Sequence, residues 1–165
     1  MDMRFTADGH LHFLGKRFRC AFGRGGVQWD KKEGDGTTPA GVWPLRRVLY
    51  RKDRLSAPES GLPLGEIAEN DGWCDDPEDR CYNQPVTLPY EARAEALWRD
   101  DHLYDVMVVL GYNDSPPVPG RGSAVFFHLA HENYRSTEGC LAVSLADMRV
   151  ILKACDTRTR VVVQP

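Results

Sequence analysis

At 165 residues the chain can bury a core without metals or disulfides as obligatory staples, and one domain spanning 1–165 is the default expectation. Hydrophobic residues make up 42% and charged ones 27%, with 21 Lys+Arg against 24 Asp+Glu, which excludes a disordered chain and a basic nucleic-acid-binding one. No run approaches the ~20 apolar residues of a membrane span, and Asp2, Arg4, Asp8 and His10 stand where a signal peptide would need an apolar stretch, so no targeting device is expected in the chain as it stands.

Arg4-Phe5-Thr6, Leu11 to Leu14 and Lys16 to Phe22 alternate apolar and polar residues as half-buried strands do, with Asp8-Gly9 as the hairpin signal between the first two. A β-meander start is predicted. From Gly23 to Gly41 glycine is dense enough to predict a loop that can approach a ligand closely. Gly23-Arg24-Gly25-Gly26 is not a phosphate cradle, because it lacks the following Lys-Ser/Thr and the strand-to-helix context. Val42 to Leu45 and Arg47 to Arg51 resume extended structure, and Leu55 to Pro89, punctuated by five prolines, predicts a long irregular excursion.

Glu91 to Arg99, rich in alanine with Pro89 just ahead, is predicted as a first helix. Asp105 to Gly111 and Ser123 to His128 are apolar runs of strand length and are read as central, buried strands. Ser144 is the N-cap, with Asp147 completing a partial capping box, of a second helix running to about Ala154, and Arg160 to Val163 supplies a last strand. The expected fold is mainly β with two short helices. It is not an alternating βαβ pattern, so a doubly wound nucleotide-binding fold is disfavoured.

Five cysteines, at 20, 74, 81, 140 and 155, cannot all pair within a monomer, so at least one is free; a Cys74–Cys81 bridge requires a turn that brings their Cα atoms together. A nucleophilic cysteine needs exposure, a base and donors for an oxyanion. Ser136-Thr137-Glu138-Gly139-Cys140 offers a turn and unshielded backbone N–H groups, and His128, at the end of a buried strand twelve residues earlier, offers the base. The plainer alternative is a buried structural cysteine and an unrelated histidine. A zinc site from His128, His131 and Cys140 is disfavoured: strand geometry sets His131 on the opposite face from His128, and no CxxC or HExxH accompanies them. The lack of CxxC also disfavours a thiol–disulfide redox protein.

An apolar strand ending in His128 followed by Thr137-Glu138-Gly139-Cys140, together with Gly34-Asp35-Gly36-Thr37-Thr38-Pro39-Ala40-Gly41, resembles the L,D-transpeptidase catalytic (YkuD) domain. Tyr50 to Arg54, Gly72 to Pro77, Tyr82-Asn83, Leu110 to Asn113 and Gly120 to Ala124 resemble a compact proteobacterial branch made of that domain alone. The resemblance implies a mixed β-sandwich. It also implies a Cys140 nucleophile, a His128 acid/base, an oxyanion site at the amides of Gly139 and Cys140, and no metal or cofactor. Its substrates would be peptidoglycan stem peptides as acyl donor and acceptor, handled in the periplasm by a monomer with no nucleic-acid partner and no membrane span. Thr137, Glu138, Tyr112 and Asn83 are the expected substrate contacts, although Asn113 onward also reads as an ordinary turn, and Trp73, Tyr82 and Asn83 read as a satellite cluster pinning their loop in preference to a lid. The chain departs from the family pattern at Glu138, where histidine is usual, at Ala142, often Asn or Arg, and in a shorter spacing from His128 to Thr137. Glu138 can then orient His128, attract an ammonium group or remain solvated. Arg51, Asp53 and Arg54 are left outside the catalytic set as structural or solvated charges.

Overall fold

The computed structural model describes residues 1–165. Strands β1 (Asp2–Thr6), β2 (His10–Phe13) and β3 (Lys16–Arg19) form the expected antiparallel meander, and Gly9 turns the first hairpin at φ +84°. The glycine-rich stretch is loop except for the short parallel pair β4 (Val27–Gln28) and β5 (Thr38–Pro39). The two extended segments that follow are one continuous strand, β6 (Gly41–Tyr50). Next come β7 (Leu64–Glu66), β8 (Asp71–Cys74), β9 (Pro85–Thr87) and β10 (Ala94–Ala96). The chain closes with β11 (Val106–Leu110), β12 (Phe126–Leu129), β13 (Leu141–Val143), helix α1 (Leu145–Lys153) and β14 (Arg160–Gln164).

The main sheet runs β13-β12-β11-β6-β14-β1-β2-β3, with β7 alongside β6. It is mixed: β1 lies parallel to β14, β12 to β13 and β6 to β7, and its other pairs are antiparallel. The result is a mainly β, sandwich-like fold. Its principal core is built from Phe5, Leu11, Val48, Val106, Val108, Phe127, Leu141 and Val143, and Met148, Ile151 and Leu152 of α1 pack into the same cluster. Helix α1 starts where the sequence predicts, because Ser144 Oγ accepts from the Asp147 N–H at 3.1 Å.

The alternation of side chains along β11 and β12 explains why these runs are apolar throughout. Val106, Val108 and Leu110 face the principal core, whereas Met107 and Val109 join Phe126, Trp73, Leu97, Leu103, Tyr104 and Cys140 in a second cluster. A strand covered on both faces has no polar side to show. The cover comes from the excursion between β6 and β11, whose three-stranded sheet β10-β8-β9 supplies Trp73.

One of the two predicted helices is therefore absent. Residues 91–99 contain strand β10, in which Ala94, Glu95 and Ala96 pair with Cys74, Trp73 and Gly72. Alanine-rich propensity across nine residues is too weak to nucleate a helix against a strand edge that satisfies the same backbone groups. The segment is then anchored by buried Leu97 and by the Arg51 guanidinium, 3.5 Å above the Trp98 ring. Arg51 also pairs with Asp53, and Arg54 with Asp105, so that charge cluster holds the excursion down as a structural network.

Candidate active site

A cleft of about 620 Å³ opens where the second cluster meets the turn before β13, and Cys140, Gly139, Glu138, Thr137 and His128 all line it. The sheet register brings the two chemical residues together. Because Phe127 pairs with Leu141 and His128 with Ala142 in parallel strands, Cys140 falls beside Phe126, whose N–H donates to the Cys140 sulfur at 3.3 Å. His128 lies two positions further along β12 on the same face, an offset of roughly 7 Å along the strand at about 3.3 Å per residue. Two residues twelve positions apart in sequence thus come to line one cleft.

His128 is buried, and its Nδ1 sits 2.9 Å from the Leu129 carbonyl oxygen. A carbonyl only accepts, so Nδ1 carries the proton and Nε2 keeps its lone pair. Burial holds the imidazole down to about 4, so the ring is neutral near pH 7. Tyr104 packs edge-on against it at 5.2 Å between ring centroids and hydrogen-bonds through its hydroxyl to Glu95.

Cys140 is not exposed as a nucleophilic thiol was expected to be. Its sulfur donates to the Ala124 carbonyl at 3.3 Å, only 9% of the residue is accessible, and burial pushes the thiol up to about 12. Both partners are therefore neutral at rest. Chemically, such a neutral pair can pass the thiol proton to Nε2 as sulfur attacks, without storing a thiolate–imidazolium pair.

The turn is tightly specified. Gly139 sits at φ +136°, and a Cβ there would lie 2.6 Å from the Thr37 carbonyl oxygen, so glycine is required. Thr137 Oγ1 donates to the Cys140 carbonyl at 2.6 Å and accepts the Gly139 N–H at 3.1 Å, while Thr38 Oγ1 donates to the Gly139 carbonyl. Of the two amides expected at an oxyanion site, that of Gly139 is thus engaged and that of Cys140 has no hydrogen-bond partner in the chain.

Other expected contacts distribute differently. Glu138 is a solvent-exposed partner of Arg24 at 2.9 Å and makes no hydrogen bond to His128, so it does not orient the ring. Neither Asn83 nor Tyr112 lines the cleft. Asn83 is buried with all its amide bonds made: Trp73 Nε1 and Ala124 N donate to Oδ1, and Nδ2 donates to the carbonyls of Tyr112 and Asn113. The Tyr112 ring packs on Trp43 and its hydroxyl donates to the Arg121 carbonyl. Trp73, Tyr82 and Asn83 form a pinned cluster rather than a free lid, with the Tyr82 hydroxyl donating to Glu33 at 2.7 Å. His131, predicted on the opposite face from His128, lines the same cleft because β12 has ended at Leu129. All five cysteines are free, and Cys74 sits against Asp79 rather than bridging to Cys81.

Sequence reasoning missed the charged walls. Glu33, Asp75 and Glu95 line the cleft together with Lys31, Arg99 and Arg135, so it presents both signs of charge. Burial raises Glu95 to about 6 even though the Tyr104 hydroxyl partly offsets it. Reading 91–99 as a helix concealed Glu95 and Arg99; a strand alternation there would have set Glu95 inward. No helix of the structure is long and apolar enough to cross a membrane.

A family model for the L,D-transpeptidase catalytic domain, YkuD, matches residues 3–163. No curated protein and no solved structure matches the chain.

Proposed function

The chain belongs to the L,D-transpeptidase (YkuD) catalytic-domain family, and on that premise we propose that it cross-links peptidoglycan through a Cys140 thioester. The observation that carries this is the placement of Cys140 and the unprotonated Nε2 of His128 on one face of adjacent parallel strands, at the same cleft.

His128 Nε2 accepts the thiol proton as the Cys140 sulfur attacks the carbonyl that follows an L-centre in the donor stem. The Cys140 N–H, unpartnered in the chain, is free to receive the oxyanion, and the Gly139 N–H joins it when Thr137 Oγ1 yields. Imidazolium then returns the proton to the departing amine, and the C–N bond breaks to leave the thioester. An amine of a second stem, typically the side-chain amine of diaminopimelate, attacks next; it loses a proton to His128, and the thiol leaves with that proton. In this reading one catalytic domain acts as a monomer on the periplasmic cell wall. The product is a 3-3 or a 1-3 cross-link.

Purified muropeptides incubated with the parent protein and with Cys140→Ala, then separated and weighed by mass spectrometry, test the reading. Dimers formed only by the parent support it and identify the linkage. Shortened monomers alone would make the protein an L,D-carboxypeptidase, and no turnover with retained binding would make it a peptidoglycan-binding domain.

A further inference from the structure

Lys31 lies 109 positions before Cys140 in sequence, yet it is among the residues that line the same cleft. Its side chain is 4% exposed, an unusual state for an ammonium group that needs explaining. Two of its three N–H groups are used: Nζ donates to the Thr37 carbonyl at 2.7 Å and to Asp35 Oδ1 at 3.1 Å. The third has no partner in the chain.

The slot around it is cut from two glycines. A Cβ on Gly122 would lie 2.8 Å from Lys31 Cε, and one on Gly139 would lie 3.1 Å from Nζ. Both glycines hold positive φ, +116° and +136°. Gly139 immediately precedes Cys140, and Gly122 lies two residues before Ala124, whose carbonyl accepts the Cys140 thiol. Thr37, which receives the Lys31 ammonium, also packs its carbonyl against Gly139. Three loops that frame the sulfur therefore converge on one buried cation.

We propose that Lys31 is a positioning residue for negative charge at Cys140, its ammonium group beside the Gly139 turn stabilising the charge that develops on sulfur and then on the acyl oxyanion. Asp35 tempers this charge: its carboxylate is paired to Lys31 and also accepts from the N–H groups of Lys32 and Thr37. Glu95, which lines the same cleft, opposes it with a charge of the other sign. The inference rests on Cys140 being the nucleophile, but its test reads the thiol directly and needs no peptidoglycan.

The experiment measures alkylation of Cys140 by iodoacetamide and by iodoacetate at pH 8, followed by peptide mass spectrometry, in the parent, Lys31→Met and Asp35→Asn. Removing the ammonium is expected to slow iodoacetamide about tenfold, the equivalent of one pKa unit, and to lower the iodoacetate-to-iodoacetamide rate ratio. Removing the carboxylate is expected to do the reverse, by about threefold in rate for half that shift or so. Both variants break the same ion pair, and loosening the cleft would speed alkylation in both. Opposite responses thus support a charge effect, while equal or parallel responses overturn it. If Lys31→Met fails to fold, the ratio in Asp35→Asn decides: a rise supports the proposal and no rise refutes it.

Discussion

Replacing Asn83 by alanine removes four hydrogen bonds at once, and the structure says how far the damage should travel. Its Oδ1 accepts from Trp73 Nε1 at 2.9 Å and from Ala124 N at 3.0 Å, and its Nδ2 donates to the carbonyls of Tyr112 at 3.1 Å and Asn113 at 2.8 Å. At about 1 kcal/mol net per bond, with the partners left buried and unsatisfied, the loss is about 4 kcal/mol. Asn83 also sits at φ +57°, a conformation asparagine tolerates better than alanine, which adds to that figure. For a domain of this size about 4 kcal/mol corresponds to a fall in Tm of roughly 8–16 °C. Asn83→Asp keeps both accepted bonds but turns a carboxylate toward two carbonyl oxygens, so it should fare no better. The local effect follows from Ala124, which is held at φ +52° with its N–H on Asn83 and its carbonyl on the Cys140 thiol. Freed from Asn83, this residue should relax, and Cys140 should alkylate faster as solvent reaches it. Thermal melts and thiol alkylation check both expectations. A Tm within about 3 °C of the parent, for a drop of less than 1 kcal/mol, would refute the claim that these four bonds hold the cleft wall.

Gly139→Ala places a Cβ 2.6 Å from the Thr37 carbonyl at a φ of +136°; a loss of about 3 kcal/mol in urea unfolding is expected from backbone strain plus overpacking, and less than 1 kcal/mol would mean the turn adapts. Ser144→Ala removes the bond to the Asp147 N–H at the start of α1 and should cost about 1 kcal/mol with little effect on catalysis; an unchanged urea midpoint counts against the cap. The pH profile carries a signed expectation. A base works only when unprotonated, and burial holds His128 at about 4, so kcat/KM on muropeptides should keep its activity down to near pH 4; an acid limb near 6.5 would show an ordinary imidazole. Burial raises Glu95 to about 6, so the folded state binds its proton more tightly than the unfolded chain. Stability should therefore fall as pH rises from about 4.5 to 6, and Glu95→Gln should flatten that part of a Tm-against-pH curve.

Local chemistry was legible in the residues alone wherever a short pattern is sufficient. The alternating meander of β1 to β3, the apolar runs of β11 and β12 and the Ser144 cap of α1 depend on nearest neighbours and burial, so they read directly. The order of Thr137-Glu138-Gly139-Cys140 after a strand ending at His128 was enough to nominate both reacting groups and the family. What needed the tertiary structure was every property set by partners distant in sequence. Residues 91–99 became strand because β8 offered an edge, which no window of nine residues contains. Asn83 and Tyr112 looked like substrate contacts because polar groups near glycine turns often are; they are spent on the chain's own backbone. The register of β12 on β13 alone aligned Cys140 with His128. Burial alone made that pair neutral, and the convergence of three loops brought Lys31 beside the Gly139–Cys140 turn across 109 residues of sequence. Sequence determines which groups are present and the chemistry they are capable of; dielectric, register and long-range contact, which exist only once the chain has closed on itself, determine which of them meet and in what state of charge.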